Sequence, residues 1–498
     1  MAHFLEKPTL DKDLDKLSLQ EAASNHVLRG SVGIGFGLIM LILAMVMAAG
    51  AVTGSPGAIV IIAAAAIGAY MAMNIGANDV TNNVGAAVGA RAISLPLALG
   101  IAAVFEIAGA VFAGGRVVST IEGGIVEASA FPTGEMLVWV MMAALVSAAV
   151  WINLATWLNA PISTTHSLVG SILGAGVAAV GFSSVHWLSL GGITLSWIVS
   201  PFLGGAVAAA LLFFLKVFIL YRDDKIAAAV RWMPILVALM SGTFAAYFAL
   251  VGMERVYPIA PLSGLASGLA VFALTYPLAR MVIARQAVGL ENRNQALRPL
   301  FRLPLIFSAA LLSFAHGSND VSNAVGPLSS IVANVGPGGP AMAAAVPFWV
   351  LLIGALGISC GLIFYGPKLI SVVGEEITKL NPMRAYCVAL GTAITVLIAS
   401  TLGLPISTTH IAVGAVFGIG FFREWFTRHS KLRLEYVRKK TGQTEFKAAV
   451  QRSADEIQHR RLVRRSHFLT IVAAWVVTVP ASALLAALVY AVFAAIFL

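Results

Sequence analysis

The chain has 498 residues, of which 59% are hydrophobic and only 11% charged, with a mean hydropathy of +0.91. A soluble domain carries about 25% charged residues, so this composition excludes a water-soluble globular protein and points to an integral membrane protein. The net charge of +10 invites a nucleic-acid partner, but 13 of the 32 Lys and Arg fall in 423–466 and the rest sit in loops between apolar runs. That is the distribution of positive-inside topology, and no nucleic-acid partner is expected.

In chain order, residues 1–29 mix Lys7, Lys12, Lys16 and Arg29 with Glu6, Asp11, Asp13, Asp15 and Glu21. This is not the basic start of a cleavable signal peptide and is read as a cytoplasmic N-terminal tail. Residues 30–56 then form an extra membrane segment that serves as a signal-anchor. Apolar stretches near the ~20 residues needed to cross a bilayer follow along the chain. They fall near 57–76, 94–115, 136–158, 161–182, 192–220, 233–252, 260–285, 303–317, 345–366, 384–402, 406–422 and 467–497. The sequence predicts an all-α polytopic membrane protein of about 12–13 membrane segments, several of them interrupted by Gly or Pro.

Loop charges give an orientation. With the N-terminus in the cytoplasm, Arg91, the group Arg222, Lys225 and Arg231, the arginines of 280–302, then Lys368, Lys379 and Arg384, and the basic loop 423–466 all fall inside. The stretch 318–344 falls outside and has no Lys or Arg. The C-terminus is then outside. Cys360 and Cys387 lie in or beside apolar segments and are read as packing residues.

Two sequence features occur twice. Gly76-Ala77-Asn78-Asp79-Val80 is echoed by Gly317-Ser318-Asn319-Asp320-Val321, each followed by an Asn (Asn82, Asn323) and a Val-Gly pair. Pro-Ile-Ser-Thr-Thr-His occurs at 161–166 and again at 405–410, and Trp197 with Pro201 answers Trp475 with Pro480. Transport repeat 1 is assigned to 57–232 and repeat 2 to 303–498, including the loop 423–466, with 233–302 linking them. The first repeat enters the membrane from outside and the second from inside. Such inverted repeats mark secondary transporters, whose broken or re-entrant helices bind substrate near the midplane.

The repeated residues suit an anion and a cation. Pro-Ile-Ser-Thr-Thr reads as a helix start, with Pro at the first helical position and hydroxyls capping free N–H groups. Within a membrane such a start is an anion site. Ser163, Thr164 and Thr165 with Ser407, Thr408 and Thr409 supply six hydroxyls for a tetrahedral oxyanion; for a single copy, an ordinary capped helix facing a polar loop is the alternative. Carboxylates inside a membrane segment are costly and by default functional. Asp79 and Asp320, with Asn78, Asn82, Asn319 and Asn323, offer hard oxygen ligands for a small cation, the alternative being helix caps at the membrane surface. Flanking Gly76, Gly85, Gly89, Gly317 and Gly326 are expected to let these helices unwind. Neither motif contains Arg or Lys, so two carboxylates plus a divalent anion call for co-bound cations, and cation-coupled symport is expected. A carboxylate accepts a hydrogen bond from protonated phosphate but repels sulfate, which favours phosphate. Glu106, aligned with Gly357 in the second half, and His166 and His410 are candidates for coupling, against the alternative that they are packed and hydrogen-bonded structural groups. A membrane hydrolase or receptor is the remote alternative, because no nucleophile-elbow context surrounds the Ser and His residues.

Gly-Ala-Asn-Asp-Val-Thr-Asn-Asn at 76–83, Ala-His-Gly-Ser-Asn-Asp-Val-Ser-Asn-Ala-Val-Gly-Pro-Leu at 315–328 and the two PISTTH segments closely resemble the inorganic phosphate transporter (PiT) family, over roughly 57–497. The resemblance implies phosphate uptake coupled to sodium in some members and to protons, often with metal phosphate, in others, by a homodimer with no cofactor. It places Asn78, Asp79, Asn319 and Asp320 with the Ser/Thr triplets around phosphate, with the aspartates shared with sodium; Asn82 and Asn323, as hard oxygen ligands, complete the expected sodium set. The proton-coupled branch carries His-Asp-Thr where this chain has Asn78-Asp79-Val80, which points to sodium here. A sulfate permease of the same fold is the alternative within that likeness.

Overall fold

The computed structural model describes residues 32–158, 160, 162–254, 256–335, 346–367, 370, 381–441 and 465–498. The tail at 1–29, Pro161 and most of the basic loop, from 442 to 464, lie outside the described residues. Among the described residues every regular element is helical, and the one extended pairing is an isolated bridge between Val126 and Val185.

The first half runs α1 (Val32–Val52), α2 (Ala58–Val80), α3 (Leu95–Ala113), α4 (Gly115–Gly123), α5 (Gly134–Trp157), α6 (Thr164–Val180) and α7 (Trp187–Leu215). Two linking helices follow, α8 (Lys225–Tyr247) and α9 (Pro261–Ala287). The second half comprises α10 (Arg302–Asp320), α11 (Ser322–Val335), α12 (Phe348–Phe364), α13 (Pro382–Thr401), α14 (Thr408–His429), α15 (Lys431–Thr441) and α16 (Arg465–Phe497). Among the described residues ten helices are long and apolar enough to cross a membrane, and Thr164–Val180 and Phe348–Phe364 are shorter apolar helices. The apolar stretches anticipated from the sequence lie on these helices, except 406–422, which lies on α14.

The halves interlock. The sequence repeat pairs α2 with α10, α3 with α12, α5 with α13, α6 with α14 and α7 with α16. In space α2 packs on α12 while α10 packs on α3, and α6 packs on α16 while α14 packs on α7. Each repeat thus exchanges its packing partners with the other, and both Asn-Asp motifs meet in the middle. Between apolar helices, where burial gives little drive in lipid, small residues that let backbones touch do the packing. Gly76 lies against the backbone of Ile358, Gly317 against that of Glu106, Gly109 against that of Phe314 and Gly361 against that of Met73. Gly76 and Gly317 therefore sit in regular helix at close crossings, contrary to the expected unwinding, because the missing side chain is used for approach rather than for backbone freedom.

The break comes just after each motif. Asp79 is followed by a π-turn at Thr81–Gly85 and a short helical piece, Ala86–Gly89. Asp320 ends α10, and a new helix starts at Ser322. Such irregular turns concentrate at functional sites because they free backbone groups and re-aim side chains. The central helices are the most enclosed: 78% of the apolar windows in Pro299–Val335 and Pro382–Thr401 is buried, against 17% for Pro261–Ala287 and 28% for Val32–Val52. The added segments are peripheral, and the duplicated helices hold the site. Cys360 and Cys387 are free thiols, half-buried and buried respectively.

Candidate anion and cation site

Each PISTTH starts a helix. Ser163 and Ser407 have extended backbone and cap α6 and α14, their Oγ atoms accepting from the amides of His166 at 3.1 Å and His410 at 3.2 Å. The first helical residues are therefore Thr164 and Thr408. Pro405 stands two positions before the cap, not at the first helical position expected from the sequence; a serine oxygen can satisfy the free amides of the turn, and a proline cannot. The Pro405 carbonyl instead accepts from Trp197 Nε1 at 2.9 Å.

The threonines of both helices turn to the two carboxylates. Asp79 Oδ2 accepts from Thr164 Oγ1 at 3.0 Å, and its Oδ1 accepts from Thr409 Oγ1 and from Asn82 Nδ2, each at 2.9 Å. Asp320 Oδ2 accepts from Thr408 Oγ1 at 3.2 Å, with Thr164 Oγ1 at 3.4 Å. Asn323 Nδ2 donates to Thr165 Oγ1 at 3.1 Å, and Asn82 Nδ2 also reaches Thr409 Oγ1 at 2.8 Å. Thr165 Oγ1 donates across to the carbonyl of Ile406 at 2.9 Å, and Thr409 Oγ1 lies 3.5 Å from the carbonyl of Ile162. Each helix start is thus tied to the other strand of the repeat. Asp79, Asp320, Thr164, Thr165, Thr408 and Thr409 are all at least 98% buried.

Asn78 and Asn319 turn elsewhere. Asn78 Nδ2 donates to Thr156 Oγ1 at 3.0 Å near the end of α5, and Asn319 Nδ2 to Ser400 Oγ at 3.2 Å near the end of α13. Asn319 also holds the strand before α14, through Leu404 O at 3.1 Å and the amide of Ile406 at 3.3 Å. Both amides hold the helix preceding each hexapeptide.

Several buried oxygens that can only accept have no partner: Asp320 Oδ1, Asn323 Oδ1, Asn78 Oδ1, Asn83 Oδ1 and Glu106 Oε2. A buried polar atom without a partner costs free energy on the order of 1–3 kcal/mol, and a cation is the natural partner for acceptors alone. One oxygen each from Asp79 and Asp320 and a ring nitrogen of His316 lie within 4.8 Å of one another.

His316 was not singled out by the sequence reading. It is fully buried on α10, with Nδ1 2.9 Å from Glu106 Oε1 and Nε2 3.3 Å from Asp320 Oδ2 and 3.8 Å from Asp79 Oδ2. Asn83 Nδ2 donates to the same Glu106 oxygen. The available signal was the spacing of His316 and Asp320, one helical turn apart and therefore on one face. The matched crossings of Gly109 on Phe314 and of Gly361 on Met73 place Ile358, rather than Gly357, opposite Glu106. By the spacing of the two Asn-Asp motifs, Ile75 answers His316. The Glu106–His316 pair joins the two halves at one of the two repeat-related crossings and has no counterpart at the other.

His166 and His410 lie away from the carboxylates. The His410 ring stacks on Trp475 and the His166 ring lies tilted on Trp197, with centroids 3.6 and 3.9 Å apart, and the two imidazoles meet edge to face at 4.4 Å. Together these four side chains line one end of an apolar groove between α7, α14 and α16.

A multi-pass helical membrane protein whose interlocked halves converge on buried carboxylates and hydroxyls has the build of a solute transporter. The model of the phosphate transporter family matches residues 75–486, and the chain belongs to that family, whose members are transporters and not enzymes. It is 42% identical to a protein from Helicobacter pylori inferred to be a phosphate permease, over 94% of this chain and 96% of that one. A protein from Chlamydia trachomatis with the same inferred role is 38% identical over 72% of this chain and 88% of its own length. Among solved structures, a sodium-dependent phosphate transporter matches with a TM-score of 0.75 and 33% identity, covering 88% of this chain and 100% of that one.

Proposed function

We propose that this phosphate transporter imports inorganic phosphate by sodium-coupled symport, with alternating access between its two repeats. The observation that carries the reading is that Thr164, Thr408 and Thr409 donate to Asp79 and Asp320, while acceptor oxygens of Asp320 and Asn323 stay unpartnered beside them. A hydroxyl has one hydrogen to give. While the carboxylates and the Ile406 carbonyl hold those hydrogens, none of the four threonine hydroxyls is free for an anion, and the carboxylates repel it. Sodium ions on Asp79, Asn82, Asp320 and Asn323 neutralise the carboxylates and release the threonines. Ser163, Thr164, Thr165, Ser407, Thr408 and Thr409, at two helix N-termini, then receive phosphate. Asn78 and Asn319 complete the cradle from its edge. Cation and anion thus occupy the site together or not at all, which is the requirement for coupling. The same reading has the N-terminus and basic loops in the cytoplasm, the C-terminus outside, and a homodimer as the working assembly.

His316, between Glu106 and both aspartates, favours proton coupling as a second reading, since an imidazole there can carry the charge a sodium ion would bring. Labelled phosphate uptake into proteoliposomes, driven by an imposed sodium gradient or an imposed pH gradient, separates the two. Uptake driven by the pH gradient alone rules out sodium coupling. Normal uptake by both Asp79→Asn and Asp320→Asn removes the carboxylates from the mechanism, and sulfate outcompeting phosphate overturns the substrate.

A further inference from the structure

Away from the paired aspartates, Arg91, Arg298, Arg302 and Arg384 line a single cleft of about 960 Å³. Ser94 and Asn381, the residues that precede α3 and α13, also line it, so two helix N-termini open on the same space. Among the described residues no carboxylate lines it, and none of the four arginines stands within ion-pair distance of one. Arg423 and Arg298 both act on Arg384 by repulsion. Arg384 Nε donates to Asn381 Oδ1 at 3.0 Å, which aligns it along the start of α13.

Positive-inside topology accounts for arginines on this face, but not for their convergence. Arg302 opens α10 and Arg384 occupies the first turn of α13, where the helix dipole disfavours cations and favours anions. Arg91 is, among the described residues, the one non-glycine residue with positive φ, at 55°, a conformation that concentrates at functional sites. Four cations set against two helix N-termini make an arrangement completed by an anion.

Size and charge select the anion. The cleft is in the range of about 300–1,000 Å³ that holds drug-sized ligands, far larger than one phosphate, and a divalent anion leaves half of the arginine charge unmatched. The cleft is also distant from the aspartates. Arg302 and Asp320 are the two ends of α10, eighteen residues apart, which at 1.5 Å per residue is on the order of 27 Å. We propose that this cleft is a second anion site, built for a ligand carrying two or more phosphoryl groups, either a soluble oligophosphate or the headgroup of a bis-phosphate lipid.

The test uses the full chain in nanodiscs of zwitterionic lipid, titrated calorimetrically with inorganic tripolyphosphate. Saturable binding is expected, weakened about tenfold or more when two arginines lose their charge-assisted bonds in Arg298→Gln/Arg302→Gln. Asp79→Asn leaves this binding unchanged, so failure of the transport reading and failure of this proposal are distinguishable. Arg280→Gln/Arg285→Gln, which removes two arginines of α9 that do not line the cleft, serves as the charge-matched control. In a second arm, nanodiscs contain a diphosphatidyl lipid. A lipid source is indicated when native mass spectrometry shows that lipid retained by the parent protein, lost from Arg298→Gln/Arg302→Gln, and competing with tripolyphosphate. Absence of saturable binding in both arms overturns the proposal, as does an equal loss in the Arg280/Arg285 control or loss of binding in Asp79→Asn.

Discussion

Glu106 Oε1 and His316 Nδ1 lie 2.9 Å apart, where α3 crosses α10; at the repeat-related crossing of α12 with α2 the equivalent positions are Ile358 and Ile75. The hydroxyls and aspartates are duplicated, but this carboxyl–imidazole pair is not. A symmetric cradle thus has an asymmetric electrostatic neighbour, linked through His316 Nε2 to Asp320 and Asp79.

Removing one member of that pair leaves the other buried and uncompensated, a change costing about 3–5 kcal/mol. Glu106→Gln is expected to lower phosphate uptake in proteoliposomes by at least ~10-fold and to lower the detergent-solubilised melting temperature. The double change Glu106→Ile/His316→Ile, which copies the other half, is expected to recover melting temperature but not uptake. Recovery of uptake as well would make the pair purely structural.

Thr164 is the one hydroxyl within reach of both aspartates; Thr165 donates to a backbone carbonyl. Loss of a buried hydrogen bond to a charged group is worth about 1.5–3 kcal/mol. Thr164→Val is therefore expected to reduce uptake about 10- to 100-fold, and more than Thr165→Val does. Sodium-activation and phosphate-saturation curves of both variants check the order.

Gly317 lies against backbone atoms of Glu106, including its carbonyl oxygen. A methyl group there meets backbone, which cannot rotate away as a flexible side chain can. Gly317→Ala is expected to separate α10 from α3, displace Glu106 and reduce the yield of folded protein severalfold. Gly115→Ala, with no atom near its would-be Cβ, is the matched control. Size-exclusion profiles in detergent report both.

Glu122, at the end of α4, has its carboxyl pushed up by burial, partly offset by the hydroxyl of Ser329 at 3.3 Å. A carboxyl whose folded pKa is raised contributes stability below its unfolded pKa, near 4.3, and loses that contribution as pH rises through the folded value. Glu122→Gln is therefore expected to melt higher than the parent protein at pH 8, and the two to converge near pH 4. A parent that melts higher at pH 8 reverses the sign.

Helical class, membrane residence, the repeated motifs and most residues of the candidate site were legible in the sequence, because each has a local cause. Apolar runs of spanning length have no other stable form in lipid. Charges there are too costly to lie idle, so Asp79 and Asp320 stood out against their apolar surroundings. A serine before two threonines caps a helix by its own chemistry, and Ser163 and Ser407 do so.

Tertiary structure decided what depends on which segments meet. The exchange of partners between repeats brings Thr409 to Asp79 and Thr164 to both aspartates, across more than half the chain in the first case. It also turns Asn78 and Asn319 toward Thr156 and Ser400, and sets Glu106 on His316. Gly76 and Gly317 became crossing points rather than hinges for the same reason: whether a glycine bends or admits a neighbour depends on what packs against it. The four arginines of the second cleft were read only as loop charges. Sequence order fixes which side of the membrane a charge faces, but convergence on one space depends on where α3, α10 and α13 begin relative to one another.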